Sequence, residues 1–566
     1  MLPALRGRAG HYLLLVTAWA ALSLVNLGAP SLWDIDEGNN AEAAREMYES
    51  GNWIVPTFNF VLRVDKPALL YWLQMLAYHT FGINEFSARL PSALAALCSV
   101  LLTYELGRKL FGAVVGLYAG LVLVSSVLFC VSAHFANPDA LLNACTVLTF
   151  LFFWRDWERN GNSWLVLGGI STGVAMLAKG PVGLVLPSAA VFLFLLWSRQ
   201  LRRYCRPQLV GGIFAFLLVA MPWYAWVAAD TKAEFLRGFF LQHNVGRFLE
   251  PMESHRGSVF YYAFVLLIGF APWSVFFAAT IWHFFSGVRG QGSGVSKEVG
   301  RPSSLTPDPW PLTPTPDRYR FLGCWIVVYL SFFTLSRTKL PNYVLPLYPP
   351  LALLVAHFLD RWQRGEITPP AWTIHAGLAG LCLTGVLTAG GLLIGGGAVG
   401  AGLLRARHLP GLEGWAFLGA VPPLGGLTGW WCLRGRRRGG LIATVALAAV
   451  LFTGALVGWA NAPVDRYKAP RPLAGVLARN QVEGEVLIGA YRYFQPSLVF
   501  YCRQEVTQWF TERDVLDQLS YPIPVYFFMP AKVWEELRLK VAGPHRVLGR
   551  HHDFYRHCEV VLVTNR

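Results

Sequence analysis

Charge is what this sequence has little of. Only 14% of its 566 residues are Asp, Glu, Lys or Arg, where a soluble chain carries about a quarter. Hydrophobic residues reach 54% and the mean hydropathy is positive, which excludes an ordinary soluble globule. Apolar runs of membrane-spanning length recur from Tyr12 to Trp459, so a polytopic helical membrane protein is expected. Cysteine is sparse as well: there are nine, most in or beside those runs, and none has the spacing of a metal site. Cys502 and Cys558 stand in the stretch of soluble composition and are open to pairing, although two lone buried thiols account for them as well. Arg6 and Arg8 precede the first run, but no small-residue cleavage site follows it, so it reads as a retained anchor. No solenoid repeat is visible.

The length needed to cross a hydrocarbon core gives about thirteen spans. They begin near His11, Ala88, Phe111, Pro138, Ser163, Pro181, Leu209, Ser258, Tyr319, Pro341, Ala371, Gly414 and Leu441. Pro67 to Phe81 is too short and aromatic to count, and reads as a re-entrant or surface helix. With the N-terminus in the cytoplasm, basic groups at six connections, from Arg108/Lys109 to Arg434/Arg436/Arg437/Arg438, fall on the cytoplasmic side. The net charge of +15 is then a topology signal, and no nucleic-acid partner is expected. An odd number of spans puts the C-terminal tail outside the cytoplasm. The expected organisation is a transmembrane block over 1–286 with a first external loop at 30–87. A Pro/Gly/Ser-rich cytoplasmic linker follows over 287–318, a second block over 319–460, and a small exported α/β domain over 461–566. In that domain "EVLIGAYRY", "SLVFYC", "PVYFFM" and "CEVVLVT" read as strands, and "PRPLAGVLARNQ" and "PAKVWEELRLK" as helices.

With this topology every unusual polar motif lies on the external side. The first loop holds "LWDIDEGNNAEAAREM", with Asp34, Asp36 and Glu37 in four positions, and then "RVDKPALLYW". Asp139 follows in "ANPDAL", Lys179 in "MLAKGPVGL", and Arg337 and Lys339 in "LSRTKLPNYVLP". Between them lies "LQHNVGRFLEPMESHRGSVFYY". Each has an ordinary reading. Asp36 or Asn39 caps the helix "NNAEAAREMYES", whose Ala/Met/Tyr stripe suits a helix lying flat on the membrane. Asp139 sits favourably at a helix start. Lys66, Lys179, Arg337 and Lys339 suit snorkelling anchors. One cap does not explain three acids, and cations repeatedly followed by helix-starting prolines (Pro67, Pro181, Pro341) look like a shared anion site. His243, His255 and His408 lack zinc-type spacing, and the histidines at 545, 551, 552 and 557 read as exposed strand or turn residues. Outside the cytoplasm an activated sugar must arrive on a lipid carrier. Cations would hold its phosphate as leaving group, and a carboxylate would take a proton or stabilise cationic sugar character.

These motifs carry a resemblance. "LWDIDEGNNAEAAREMYESGNWIVPTFNF", "VDKPALLYWLQMLAYHTFGINEFSARLPSAL", "ANPDALL", "AKGPVGLVLP", "HRGSVFYY" and "SRTKLPNYVLPLYPPLALL" occur in the order seen in the bacterial aminoarabinose transferases. Those belong to the protein O-mannosyltransferase-like membrane glycosyltransferases with the GT-C fold. The resemblance implies an inverting transferase using a polyprenyl-phosphate sugar, with lipid A, another glycan or a protein as acceptor. It maps the catalytic acidic motif onto Asp36-Glu37, with Asp36 the central carboxylate, and the second catalytic acid onto Asp139; Asp34 and Glu37 are also expected to order the loop. The carrier-phosphate lysine maps to Lys66 and a tyrosine to Tyr343. Arg256 and Lys179 are implied as further phosphate or acceptor contacts, with Arg247, Arg337 and Lys339 added from position. The family often has Glu before the loop lysine; here it is Asp65, and no metal and no cofactor are expected. A protein O-mannosyltransferase-like activity is the alternative. A lipid or glycan transporter is disfavoured, because the spans are clean in their middles.

Overall fold

The structure is a computed structural model that describes residues 7–159, 163–246, 248, 257–289, 316–400, 408–481, 485–541 and 543–566. Helix α1 (Arg8–Ser23) leads into the first loop, which carries α2 (Asp36–Ser50), a two-stranded hairpin (β1, Thr57–Phe58; β2, Val61–Leu62) and α3 (Leu69–Phe81). A helical body follows: α4 (Glu85–Phe111), α5 (Ala113–Val124), α6 (Val127–Ala133), α7 (Asp139–Arg159), α8 (Trp164–Lys179), α9 (Val182–Trp197) and α10 (Pro207–Asp230). After it come α11 (Tyr261–Gly269), α12 (Phe277–Arg289), α13 (Pro316–Leu335), α14 (Tyr348–Gln363), α15 (Ala371–Gly396), α16 (Val421–Arg434) and α17 (Arg438–Gly458). Helix α7 packs between α4 and α8, and α8 against α10.

Among the described residues five helices are long and apolar enough to cross a membrane, or up to seven if each bent pair is one span. The bent pairs are α5 with α6, at 69°, and α11 with 273–286, at 112°. Length and apolarity thus give fewer crossings than the thirteen counted in the sequence, because several apolar stretches are bent or short; α8 and α9 have 16 residues each. Most of the expected linker lies outside the described residues.

The tail holds a five-stranded mixed sheet in the order β4 (Thr507–Trp509), β3 (Leu487–Tyr491), β5 (Val525–Pro530), β7 (Cys558–Thr564), β6 (Arg546–Asp553). β3 runs parallel to β4 and β5, while β7 is antiparallel to both its neighbours. Helix α18 (Pro470–Asn480) covers one face with α19 (Pro496–Cys502). "SLVFYC", expected as a strand, is this α19. Pro496 at its first turn presets the helical φ, and a short apolar run buried all round has no period to tell strand from helix. Cys502 and Cys558 are both free thiols.

Helix α2 is the second departure. It does not lie on a surface: Ala41 to Met47 are all buried, with α3 on one side and α19 on the other. Its polar face is satisfied internally. Arg45, 1% exposed, forks onto Glu42 (Nε to Oε2, 2.7 Å) and pairs with Glu49, while Glu46 accepts from the Phe60 N–H at 3.2 Å. A buried polar face demands such pairing, and the apolar stripe alone did not reveal it.

What fixes α2 to the body is Arg89, near the start of α4. Its Nε and one Nη2 bond grip Glu37 (2.9 and 2.7 Å), and the remaining donors reach the carbonyls of Leu27 (2.9 Å), Pro30 (2.8 Å) and Ser31 (3.0 Å). Glu37 in turn accepts from the backbone N–H of Trp33 (2.8 Å) and Ala136 (2.7 Å). Both side chains are sealed, at 1% and 0% exposure. Removing one partner of such a pair strands the other charge, at ~3–5 kcal/mol. Arg89→Met is therefore expected to lower the thermal midpoint in detergent markedly; a midpoint within a degree of wild type would show that the pair does not hold the loop.

Candidate functional site

Helix α2 begins at Asp36 itself, and no side chain caps it. The capping roles allowed to Asp36 and Asn39 are thus not taken up. Asp36 is exposed and makes no hydrogen bond or ion pair with the described residues. Its acidic neighbours have other fates. Glu37, counted with the catalytic acids, is enclosed by Arg89, Trp33 and Ala136. Burial works to raise its pKa, but the Arg89 charge and these hydrogen bonds hold it below the usual carboxylate value. It is an anchor with no open lone pair, so it orders the loop and does not face a substrate.

Asp34 turns towards the tail domain. The Ser497 N–H donates to its Oδ1 at 2.7 Å and the Ser497 hydroxyl to its Oδ2 at 2.5 Å. Glycine is required nearby: a Cβ on Gly38 would lie 2.5 Å from Ser497 N and 2.6 Å from Asp34 Oδ1.

The second acid is held beside the first loop by a chain of short contacts. Asn40 Nδ2 donates to the Ala136 carbonyl at 3.0 Å, Ser92 Oγ to that of Asn137 at 3.0 Å, and the Asp139 N–H to Asn137 Oδ1 at 3.2 Å. At the start of α7, Asp139 is 3% exposed, pairs with Lys179 and accepts from Asn342 Nδ2 at 2.6 Å. Lys179 ends α8, where Gly180 turns the chain with φ +79°. Its ammonium also stands over the Tyr343 ring, 5.0 Å from the centroid. Asp139, Lys179 and Tyr343, read as members of one site from three distant motifs, do meet.

Lys179 and Tyr343 line a pocket whose polar lining also includes Asp65, Lys66, His243 and Asn244, with Phe239, Phe248, Phe332 and Phe333 as apolar wall, and Asp139 joins it through Lys179. Asp65 bonds to His243 Nε2 (2.9 Å) and Arg63 (3.1 Å). Burial opposes its charge, but the His243 hydrogen bond, Arg63 and Lys66 hold its pKa well below the usual range. Asp65 is spent on these partners, and among the described residues no group of three His, Cys, Asp or Glu is placed to hold a metal. Buried Arg63 also donates to Tyr71 OH (3.0 Å) and Asn40 Oδ1 (3.3 Å). Burial works against its charge, and the fields of Tyr71, Asp65 and Asp36 more than offset that. Arg63 thus links Asp36 electrostatically to the pocket.

The remaining cations divide. Lys339 is not brought to the pocket's polar group: its ammonium donates to the carbonyls of Phe333 (3.3 Å), Thr334 (2.5 Å) and Ser336 (2.9 Å) and closes the end of α13. A helix end leaves carbonyls unpaired, and a lysine there is consumed by them. Arg337 is exposed, its backbone N–H bonded to the Phe248 carbonyl at 3.2 Å. Arg247 and Arg256, with His255, lie outside the described residues. The sequence reading passed over Arg63, Asn342 and Arg89; Asn342 adjoins Tyr343 in "KLPNY", and Arg63 stands in "RVDKP", so both lay inside motifs already singled out.

A family model described as dolichyl-phosphate-mannose-protein mannosyltransferase matches residues 65–226. The undecaprenyl phosphate-alpha-4-amino-4-deoxy-L-arabinose arabinosyl transferase of Pseudomonas aeruginosa PAO1 is 30% identical over 363 residues, covering 62% of this chain and 60% of that protein. Its counterpart in Erwinia tasmaniensis is 29% identical, covering 61% and 59%. The matches thus span about three fifths of these relatives' length. In three dimensions the crystal structure of ArnT from Cupriavidus metallidurans bound to undecaprenyl phosphate superposes with a TM-score of 0.78 at 23% identity, over 99% of both chains. The chain has the aminoarabinose-transferase fold. The resemblance to the aminoarabinose transferases therefore holds in sequence and in architecture. The GT-C architecture extends more distantly to the oligosaccharyltransferase of Archaeoglobus fulgidus, at a TM-score of 0.51, 11% identity and coverage of 92% and 70%.

Asp34 supplies a test of how loop and tail meet. Burial pushes its carboxyl up to about 7, against the Ser497 hydrogen bonds and the Lys468 charge, with Asp553 adding to the rise. The folded protein then holds that proton more tightly than the unfolded chain, where Asp titrates at about 4. Its contribution to stability is complete below about pH 4 and is lost as pH rises to about 7. The stability of wild type relative to Asp34→Asn is expected to fall across that window and level off above it, read as thermal midpoints from pH 4 to 9. A constant difference would show that Asp34 titrates as in the unfolded chain.

Proposed function

We propose that the protein is an integral-membrane glycosyltransferase that moves a sugar from a polyprenyl-phosphate carrier to a cell-envelope acceptor, lipid A foremost. The chemistry takes place on the periplasmic side of the inner membrane, with the N-terminus cytoplasmic and the tail domain periplasmic. The observation that carries this reading is an exposed carboxylate, Asp36, in the field of Arg63, which pairs with Asp65 in a pocket whose described cations are Lys66 and Lys179, the latter bound to the second acid, Asp139. Close relatives in sequence are named for undecaprenyl-phosphate aminoarabinose transfer.

A groove of about 790 Å³ supports a lipid donor. Phe260, Leu267, Phe277, Ile281, Ile326 and Leu351 line it, between α11, α12 and α13. Groove and pocket are both lined by the last turns of α13, the groove by Leu330 and Thr334 and the pocket by Phe332, Phe333 and, just beyond, Ser336. An isoprenoid chain in the groove would bring its phosphate to Lys66 and Lys179, with Arg247, Arg256 and Arg337 as further contacts. In the reaction the bond from the sugar's anomeric carbon to the phosphate oxygen breaks, and the phosphate leaves with both electrons. The acceptor oxygen bonds the opposite face, giving inversion. Preplaced cations stabilise the departing charge, and Tyr343 positions Lys179 through its ring face. A phosphate acceptor arrives ionised, so Asp36 would stabilise cationic sugar character. For a hydroxyl acceptor it would take the proton.

The test is transfer of labelled sugar from a panel of polyprenyl-phosphate sugars by protein purified in lipid. Asp36→Asn is expected to lose at least ~100-fold in rate, the usual scale for a catalytic proton or charge partner, with the protein still folded. Wild-type rates in Asp36→Asn would remove Asp36 from the chemistry. Label on protein, with none on lipid A, would establish the protein O-mannosyltransferase-like alternative.

A further inference from the structure

The tail domain touches the first loop where a cover has no reason to. Residues 31–34, which lead to Asp36, have no secondary structure of their own before a turn at Asp34, yet each of their backbone N–H groups is bound. Ser31 donates to Asp465 Oδ1 (2.9 Å), Leu32 to Tyr501 OH (2.8 Å) and Asp34 to Tyr555 OH (2.9 Å). Trp33 alone is served from within the loop, by Glu37 (2.8 Å). Three of the four acceptors thus come from residues more than 430 positions away in sequence. The Ser31 hydroxyl repeats the contact to Asp465, and the Lys468 ammonium stands over the Trp33 ring at 3.6 Å. The Asp34 side chain receives both polar groups of Ser497. Gly38, one turn into α2, supplies the room for this approach.

We infer that the tail domain is a working part of the catalytic centre, with Ser497, Tyr501 and Tyr555 as positioning residues that set the placement of Asp36 through the backbone of residues 31–34. This rests on the proposed function, in which Asp36 faces the sugar. The geometry favours positioning over acceptor recruitment. These tail side chains are directed at main-chain N–H groups and at Asp34, which are contacts within the protein itself. Small displacements of a catalytic group cost rate out of proportion to their size. Each of these hydrogen bonds is replaceable without emptying a core, since the changes involve single hydroxyls.

Donor consumption by the full-length protein in lipid vesicles, measured for Ser497→Ala, Tyr555→Phe and Ser497→Thr, tests this. Ser497→Ala and Tyr555→Phe are expected to lower kcat about 10- to 100-fold per folded molecule, with the KM for the lipid-linked donor unchanged. Ser497→Thr, which keeps hydroxyl and N–H, should restore most of it. The folded fraction comes from the thermal midpoint, so a variant that only unfolds is recognised. Wild-type kcat in both hydroxyl deletions overturns the inference and leaves the tail as a cover. A rise confined to the KM for the acceptor overturns it in favour of acceptor recruitment. Failure of the proposed function shows separately, in wild-type protein that transfers from no polyprenyl-phosphate sugar, and the positioning role then falls with it.

Discussion

Five hydrogen bonds from Arg89 hold the polar end of this molecule together. Every N–H of its guanidinium is used, two on Glu37 and three on the carbonyls of Leu27, Pro30 and Ser31. Glu37 completes the set by accepting from Arg89 twice and from Trp33 and Ala136 once each. A planar fork matched to a carboxylate suits this role in a way a lysine would not. In a low-dielectric setting the pair is tolerable only because every polar atom is satisfied. The consequence is geometric. The loop leaving α1, the start of α2 and the turn before α7 are tied to one point on α4, and the second acid, Asp139, follows that turn within three residues. Asp36 and Asp139 are brought into one region by a residue that touches neither.

The anion pocket is narrower than the cations of the sequence suggest. Lys339 is taken by the carbonyl end of α13, and the described cations that line the pocket reduce to Lys66 and Lys179. Lys179 is balanced by Asp139, itself held by Asn342, and by the Tyr343 face. An arriving phosphate therefore competes with Asp139 for an ammonium already oriented by neighbours. Oriented charge of this kind needs little rearrangement when a leaving group develops negative charge. The Asp65–Arg63–His243 cluster plays a different part: it neutralises itself internally and stiffens the segment from which Lys66 projects.

Much of this was readable in the sequence, for reasons that can be named. Low charge and long apolar runs give the membrane class, and the one-sided placement of Asp139, Lys179 and Tyr343 anticipated their meeting, because helix ends on one side of a bundle are neighbours whatever the packing order. What was not readable depends on partners far along the chain. The burial of α2 requires α19 to lie against it, and nothing in "NNAEAAREMYES" reports that. The helix at "SLVFYC" was lost because a short run buried on all sides has no diagnostic period. Ser497, Tyr501 and Tyr555 have no motif at all, since hydroxyls that bind a distant carboxylate or backbone N–H groups leave no spacing to find. Gly38 is the one local hint, a glycine inside a helical turn where another residue would have been the better helix former.

The three acids of the first loop show how completely surroundings decide what a carboxylate does. Asp34, Asp36 and Glu37 share a chemistry and lie within four positions, yet one is bound to a serine of another domain, one is locked to an arginine, and one is left exposed. Binding two of them makes the third useful. A loop with no strand or helix of its own cannot hold a side chain in place, because its backbone groups would otherwise exchange with water. Here Asp34 on the tail side and Glu37 on the membrane side fasten the chain on either flank of Asp36. The exposed carboxylate is then presented from a segment that is irregular in form and fixed in position. The proposed transfer asks for open access to Asp36 together with that rigidity, and anchoring its neighbours while leaving Asp36 unpaired meets both demands.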